Sequence, residues 1–137
     1  MQPEIRLKMH ELSYVLRLIK QISEYFEKSP LEPGESVEAL LVDVGNTTGV
    51  IPDWLDRYYR ESTGGTVLEG SRLDINQIPV SIKCRDCGDT YYPEKENRYL
   101  CPVCGSKRGE MISGREFFIK KIIIRSDDDE NDQNDHD

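Results

Sequence analysis

Two closely spaced cysteine pairs constrain the fold of this 137-residue chain more than any other feature of its sequence. The segments Cys84-Arg-Asp-Cys87-Gly and Cys101-Pro-Val-Cys104-Gly form a CxxC–x13–CxxC pattern, in which each pair can turn tightly around one ion. The glycine after each pair permits the backbone to close. Four thiolates suit tetrahedral Zn²⁺ and leave no ligand position for water, so the pattern predicts a structural zinc site.

Iron and redox chemistry are the alternatives for these cysteines. A single iron ion accepts the same four-thiolate set, and ligand type alone leaves that option open. A dithiol redox centre places one CxxC at a helix start beside a βαβ unit, whereas both pairs here lie in turn-rich sequence. Between Cys84 and Cys104 the only aliphatic side chains are Leu100 and Val103. We therefore expect this segment to need a metal in order to fold.

The charge distribution argues against a nucleic-acid-binding protein. Of the formal net charge of −8, the acidic residues in the last eleven positions supply −7, which leaves about −1 for the rest of the chain. Nonspecific affinity for nucleic acid grows with the number of phosphates that Lys and Arg neutralise. A chain that is nearly neutral outside its tail is therefore expected to have little such affinity. The terminal stretch SDDDENDQNDHD has no apolar residue and is predicted to be disordered.

The sequence also predicts a cytoplasmic protein that does not enter a membrane. It contains no run of about 18 apolar residues, which a transmembrane helix would require. The N-terminal segment MQPEIRLKMHEL interrupts its apolar residues with charges, unlike the core of a signal peptide. In a reducing compartment, paired cysteines bind metal more readily than they form disulfides.

Hydrophobic spacing predicts an α/β fold in which two helices pack on a small mixed sheet, with an inserted four-cysteine zinc-ribbon module. The first helix is predicted over Glu11–Glu27, and the second begins at Pro52 and ends before the glycine pair Gly64-Gly65. The predicted strands of the sheet are Val37–Val44, in a central position, and Leu73–Ile75, Val80–Ile82 and Phe117–Ile124. The predicted organisation is an α/β domain of residues 9–80 and 115–125, a zinc module of residues 81–114, and a tail of residues 126–137.

His10 is the candidate for a second metal site. The other histidine, His136, lies in the acidic tail, and an isolated exposed histidine near a helix start ordinarily has no special role. Met9, however, is a candidate initiator. A chain that began there would present a terminal amine, the His10 imidazole and the adjacent backbone amides together. Such nitrogen donors suit a square-planar ion such as Ni²⁺.

Several segments resemble the HypA/HybF family, the nickel metallochaperones of nickel–iron hydrogenase maturation. The similar segments, in the family's order and around the two CxxC pairs, are MHELS from Met9, VDVGNTTGVIPDWL, GTVLEGSRLDINQIPV and SGREFFIKKIII. The resemblance covers Met9 to about Arg125. This chain differs in having eight residues before Met9, in having Asn46 where the family usually has Glu, and in its acidic tail.

The resemblance implies a function and a set of ligands. It implies that His10 binds nickel together with backbone nitrogens of Met9, or its amine, and of Glu11. It also implies that Cys84, Cys87, Cys101 and Cys104 hold structural Zn²⁺. The implied cargo is Ni²⁺, and the implied partners are an accessory nickel-handling GTPase, the apo-hydrogenase large subunit and urease maturation proteins.

An enzyme and a zinc-ribbon adaptor are the two alternatives to a nickel metallochaperone. An enzyme is not predicted, because one histidine and four metal-bound thiols supply no Ser/His/Asp or Cys/His constellation. A zinc-ribbon adaptor that binds protein or nucleic acid would carry the same cysteines without any nickel function. Basic residues around the ribbon are nearly cancelled by acidic ones, which weakens the nucleic-acid form of that alternative.

Overall fold

The computed structural model describes residues 3–127, and side chains from residue 10 onward. It contains two helices and six strands: α1 (Pro3–Lys28), β1 (Glu35–Gly45), α2 (Pro52–Ser62), β2 (Arg72–Ile78), β3 (Ser81–Cys84), β4 (Thr90–Tyr91), β5 (Gly109–Ser113) and β6 (Phe117–Ser126). The tail predicted to be disordered lies almost entirely outside the described residues. Within them, no helix is both long and apolar enough to cross a membrane.

Helix α1 buries one apolar stripe and is longer than its hydrophobic pattern predicts. Val15, Leu18, Ile22 and Phe26, at three- and four-residue spacing, form its buried face. The helix ends at Lys28, near the predicted stop before Pro30. Its predicted start at Glu11 was wrong, since the helix begins at Pro3. Residues 4–10 contain no glycine or proline, and proline is tolerated in a first turn, so nothing in this segment terminates the helix.

The first sheet has the strand order β2-β1-β6. The central position predicted for β1 is confirmed, and its run from Val42 to Gly45 is buried without alternation, as expected for a strand covered on both faces. The strand predicted after the zinc module returns to this sheet as β6, at one edge. Helix α2 begins at Pro52 as predicted and buries Leu55 and Tyr59, and the Tyr59 hydroxyl lies 2.6 Å from the Ser71 Oγ.

The second sheet has the order β4-β3-β5, and both of its pairings are antiparallel. Ile82 of β3 lies opposite Tyr91 of β4 and Met111 of β5. The prediction that Val80–Ile82 belongs to the same sheet as β1 was wrong. Strand β3 instead pairs with β4 across the short turn that holds the first cysteine pair, because closing a short loop costs little entropy. The predicted class, an α/β fold with two helices and a four-cysteine module, is confirmed.

The described chain divides into two compact units. The second unit consists of Asp43–Gly49 and Asn76–Phe118, and the first contains the remaining described residues. The second unit therefore includes the last residues of β1 and of β2 as well as the whole β4-β3-β5 sheet. In this unit the Gly45 amide donates to the Glu116 carbonyl oxygen at 2.6 Å, and the Thr47 amide donates to the Gly114 carbonyl oxygen at 2.8 Å.

Candidate metal sites

The four cysteine thiols converge on one point of the second unit. All four Sγ atoms lie within 4.8 Å of one another, and none forms a disulfide. The Sγ atoms of Cys84 and Cys104 are 3.5 Å apart, and those of Cys87 and Cys101 are 3.6 Å apart. The two pairs that lie seventeen residues apart in sequence therefore form a single four-sulfur cluster.

Each cysteine pair lies in a turn of the same form. The Gly88 amide donates to the Cys84 carbonyl oxygen at 2.9 Å, and the Gly105 amide donates to the Cys101 carbonyl oxygen at 2.8 Å. Gly88 has a φ of 80° and Gly105 a φ of 74°, a left-handed conformation that costs a glycine little. These glycines are why the CxxCG sequence folds back and directs both thiols of a pair inward.

The backbone around the thiols favours a thiolate at Cys84. The Cys87 amide donates to the Cys84 sulfur, and this bond, with a second from the Asp86 amide, outweighs desolvation and lowers the pKa of Cys84 to about 6. At Cys87 the Asp89 amide acts in the same direction. Desolvation and the neighbouring thiols outweigh it there, and the pKa of Cys87 rises to about 12. Thiolates this close to one another repel, which disfavours a second negative charge beside Cys84.

This donor set fits a bound metal ion. Four soft sulfur donors within 4.8 Å of one another match the preferences of Zn²⁺ and of a single iron ion, and a cation would offset the repulsion between neighbouring thiolates. The first cysteine of each pair is buried and the second is exposed. Cys84 and Cys101 pack with Tyr91 and Ile82 in a small apolar cluster. One side of the site is therefore shielded from solvent, and the other side is exposed to it.

His10, the predicted nickel ligand, is the eighth residue of α1 rather than a residue at its start. The ring is partly buried and meets the Tyr14 ring edge-on, with 4.9 Å between the ring centroids. The backbone of Met9 and Glu11 lies in the same helix. In an α-helix each amide donates to the carbonyl four residues earlier, so the amides of residues 9–11 are directed into the helix by the turn that precedes them.

Glu11 has a role that the sequence analysis missed. Its side chain is fully buried, and its Oε2 accepts a hydrogen bond of 2.7 Å from the Ile51 amide, at the N-terminus of α2. Ile51 is the N-cap residue of α2 and cannot cap it with its own side chain. The Glu11 carboxylate therefore caps a helix that lies forty residues away in sequence. A glutamate that continues the apolar stripe of Val15, Leu18 and Ile22 was the signal that could have revealed it.

The sequence comparisons point to one family. A family model described as "Hydrogenase/urease nickel incorporation, metallochaperone, hypA" matches residues 9–124. A hydrogenase maturation factor HypA from Synechococcus sp. is 38% identical over 116 residues, which is 85% of this chain and 86% of the relative. Another, from Aquifex aeolicus, is 34% identical over 119 residues, which is 87% of this chain and the whole of the relative.

This chain belongs to the HypA family. The resemblance inferred from its sequence segments is thereby confirmed. Members of the family are metallochaperones that take part in nickel incorporation into hydrogenase and urease.

Solved structures agree with the family fold. One described as the solution structure of HypA protein superposes with a TM-score of 0.65 at 23% identity, covering 85% of this chain and 97% of that chain. The solution structure of the nickel metallochaperone HypA from Helicobacter pylori gives a TM-score of 0.59 at 21% identity, covering 85% of this chain and 98% of the other. At these identities the likeness concerns the fold.

Proposed function

We propose that this chain carries Ni²⁺ bound near Met9 and His10 and delivers it to the apo large subunit of a nickel–iron hydrogenase. The observation that carries the proposal is the match to the nickel-incorporation family, which covers residues 9–124 and includes every predicted ligand. In this proposal an accessory GTPase assists the transfer, and urease maturation proteins are further partners. The site of action is the cytoplasm, where reduced thiols persist.

The proposed nickel ligands are the His10 imidazole, a backbone nitrogen or the amine of Met9, and the backbone nitrogen of Glu11. The burial of Glu11 supports a backbone role for this residue, because its carboxylate is enclosed at the N-terminus of α2. Neighbouring helical side chains point about 100° apart, so His10 and the Glu11 carboxylate do not face one ion. A set of nitrogen donors favours Ni²⁺ in a square plane.

Nickel binding by backbone nitrogens requires a particular state of α1. The first four amides of a helix have no acceptor within it, so a helix that began at Met9 would leave the amides of His10 and Glu11 free to bind a metal. A helix that begins at Pro3 directs those amides to preceding carbonyls. We infer that the nickel-binding form either begins at Met9 or unwinds the first turns of α1.

The four cysteines hold structural zinc in this proposal. Bound zinc would supply no catalytic chemistry, because four thiolates fill its coordination sphere. Cys84, Cys87, Cys101 and Cys104 would hold together a segment that has a very small apolar cluster of its own. The module would thereby keep a defined surface for a partner protein.

Replacing His10 tests the nickel assignment. His10→Ala in zinc-loaded protein should abolish stoichiometric Ni²⁺ binding in titration calorimetry while zinc content and circular dichroism stay unchanged. His136→Ala is the matched control, because it removes the other histidine of the chain and should leave nickel binding intact. Retention of the nickel site in His10→Ala would refute the assignment, and no nickel binding by any form would favour a zinc-ribbon adaptor.

A further inference from the structure

A polar cluster joins the two cysteine turns on the surface of the second unit. The Ser106 hydroxyl donates to Oδ2 of Asp86, which lies between the two cysteines of the first pair. The Arg108 guanidinium lies 3.3 Å from Oδ1 of the same carboxylate. The Arg108 amide donates to the Ser106 Oγ at 3.0 Å. We call Asp86, Ser106 and Arg108 the clasp.

The clasp contains no metal ligand. Its side chains bond to one another, and the backbone amides of Asp86 and Ser106 donate to the sulfur atoms of Cys84 and Cys104. The same part of the chain is also joined by the Arg85 amide, which donates to the Arg108 carbonyl oxygen at 2.8 Å. The cysteine turns therefore have bonds between them that do not depend on the bound ion. A single exposed ion pair contributes little, but one carboxylate that binds a hydroxyl and a guanidinium together fixes a geometry.

We propose that Asp86 is a positioning residue of the four-cysteine site, which holds the two turns together and thereby slows loss of the bound metal. The exposed thiols Cys87 and Cys104 come one from each turn. When the bond between the metal and either of these sulfur atoms breaks, the two turns can separate only if the contacts of the clasp also break. With the clasp closed, the released thiolate stays within reach and binds again. This inference rests on metal binding by the cysteines and is independent of the nickel cargo.

The test measures zinc release from the full-length, zinc-loaded chain into an excess of a chromogenic chelator. Asp86→Ala should release zinc roughly three- to tenfold faster than the unmodified chain. Asp89→Ala is the matched control, because it removes the same charge next to the same cysteine pair. Among the described residues the Asp89 side chain makes no hydrogen bond or ion pair. Equal release rates for these two variants would overturn the proposal.

Two further measurements separate positioning from a general loss of structure. With Co²⁺ in place of zinc, the absorption bands of Asp86→Ala should match those of the unmodified chain, because the four sulfur ligands are unchanged. Asp86→Ala combined with Arg108→Ala should release zinc little faster than Asp86→Ala alone, since Asp86→Ala already removes the contact with Arg108. A double variant whose acceleration equals the product of the two single accelerations would contradict the clasp. An altered cobalt spectrum of Asp86→Ala would also contradict it.

If Asp86→Ala fails to retain one zinc per chain, Ser106→Ala provides the test. It removes the two hydrogen bonds of the Ser106 hydroxyl, to the Asp86 carboxylate and from the Arg108 amide, and leaves the charges in place. It should accelerate release by roughly twofold to threefold. A Ser106→Ala rate equal to that of the unmodified chain would then overturn the proposal.

Discussion

At the scale of single residues, the tightest constraint in the described chain lies where Gly45 passes Gly114. A Cβ atom added to Gly45 would lie 2.1 Å from the Gly114 carbonyl oxygen and 2.2 Å from its carbon. Both obstructing atoms belong to the backbone and cannot rotate away as a side chain could. The glycine at position 45 is therefore required by packing and not by its backbone angles, since its φ is −72°.

We expect Gly45→Ala to lower the free energy of unfolding by about 2 kcal/mol or more, because two backbone segments must separate to admit the methyl group. Gly64→Ala is the control, since a Cβ there meets only the Glu69 Oε1, at 3.8 Å. Urea unfolding of both zinc-loaded variants measures the difference. Equal stability of the two variants would contradict the close approach.

At the scale of elements, Glu11 links α1 to α2 through a hydrogen bond that neither helix could make alone. Its Oε2 accepts from the Ile51 amide, while Oε1 is buried without a hydrogen-bond partner. A buried carboxylate is costly unless its charge is compensated, and the positive end of the α2 dipole supplies part of that compensation.

Glu11→Ala should destabilise the chain by about 1–2 kcal/mol through loss of the cap, and Glu11→Gln should cost less because the amide oxygen can still accept from Ile51. Glu24→Ala, at an exposed position of the same helix, is the control. Thermal unfolding followed by circular dichroism measures all three. A Glu24→Ala variant as unstable as Glu11→Ala would argue against capping.

The first turns of α1 lead to a second prediction at this scale. A form of the chain that begins at Met9 should bind Ni²⁺ one to one and more tightly than the form that begins at Met1. The shorter form gains a terminal amine and frees its first helical amides. Titration calorimetry on both zinc-loaded forms tests this. Equal affinity of the two forms would assign the binding to the His10 imidazole and not to the terminal amine. Tighter binding by the form that begins at Met1 would contradict the role of the free amides.

At the scale of the whole molecule, hydrogen bonds within the second unit join the segment after β5 to the end of β1. The second unit includes Asp43–Gly49 as well as the cysteine segment, and the amides of Gly45 and Thr47 donate to carbonyls that follow β5. The segment that carries the four cysteines thus leads, through β5, into residues that are hydrogen-bonded to the end of the central strand.

Zinc removal should therefore affect more than the cysteine turns. After removal of zinc by a chelator, or in Cys84→Ser, we expect the amides of Gly45 and Thr47 to exchange hydrogen faster, because their acceptors at Glu116 and Gly114 lose their fixed positions. The Leu55 amide, which donates to Ile51 within the first unit, is the internal reference. Unchanged exchange at Gly45 and Thr47 would show that the end of β1 is independent of the metal.

The sequence alone determined the family, the four-sulfur pattern, and the approximate elements. These features depend on local chemistry: two CxxCG turns, apolar residues at helical spacing, Pro52 at a helix start, and the β-branched run after Phe117. Features that depend on distant residues were predicted wrongly or missed. The predicted start of α1 at Glu11 relied on apolar residues at helical spacing, and before Glu11 apolar residues alternate with charged ones.

The tertiary structure alone decided which segments contact one another. It assigned β3 to the sheet of the cysteine module, because pairing depends on competing partners that a single segment cannot reveal. It showed that Glu11 caps α2, that Gly45 passes Gly114, and that Asp86 joins Ser106 and Arg108. Each of these contacts joins residues twenty or more positions apart, where spacing in sequence carries no information about distance in space.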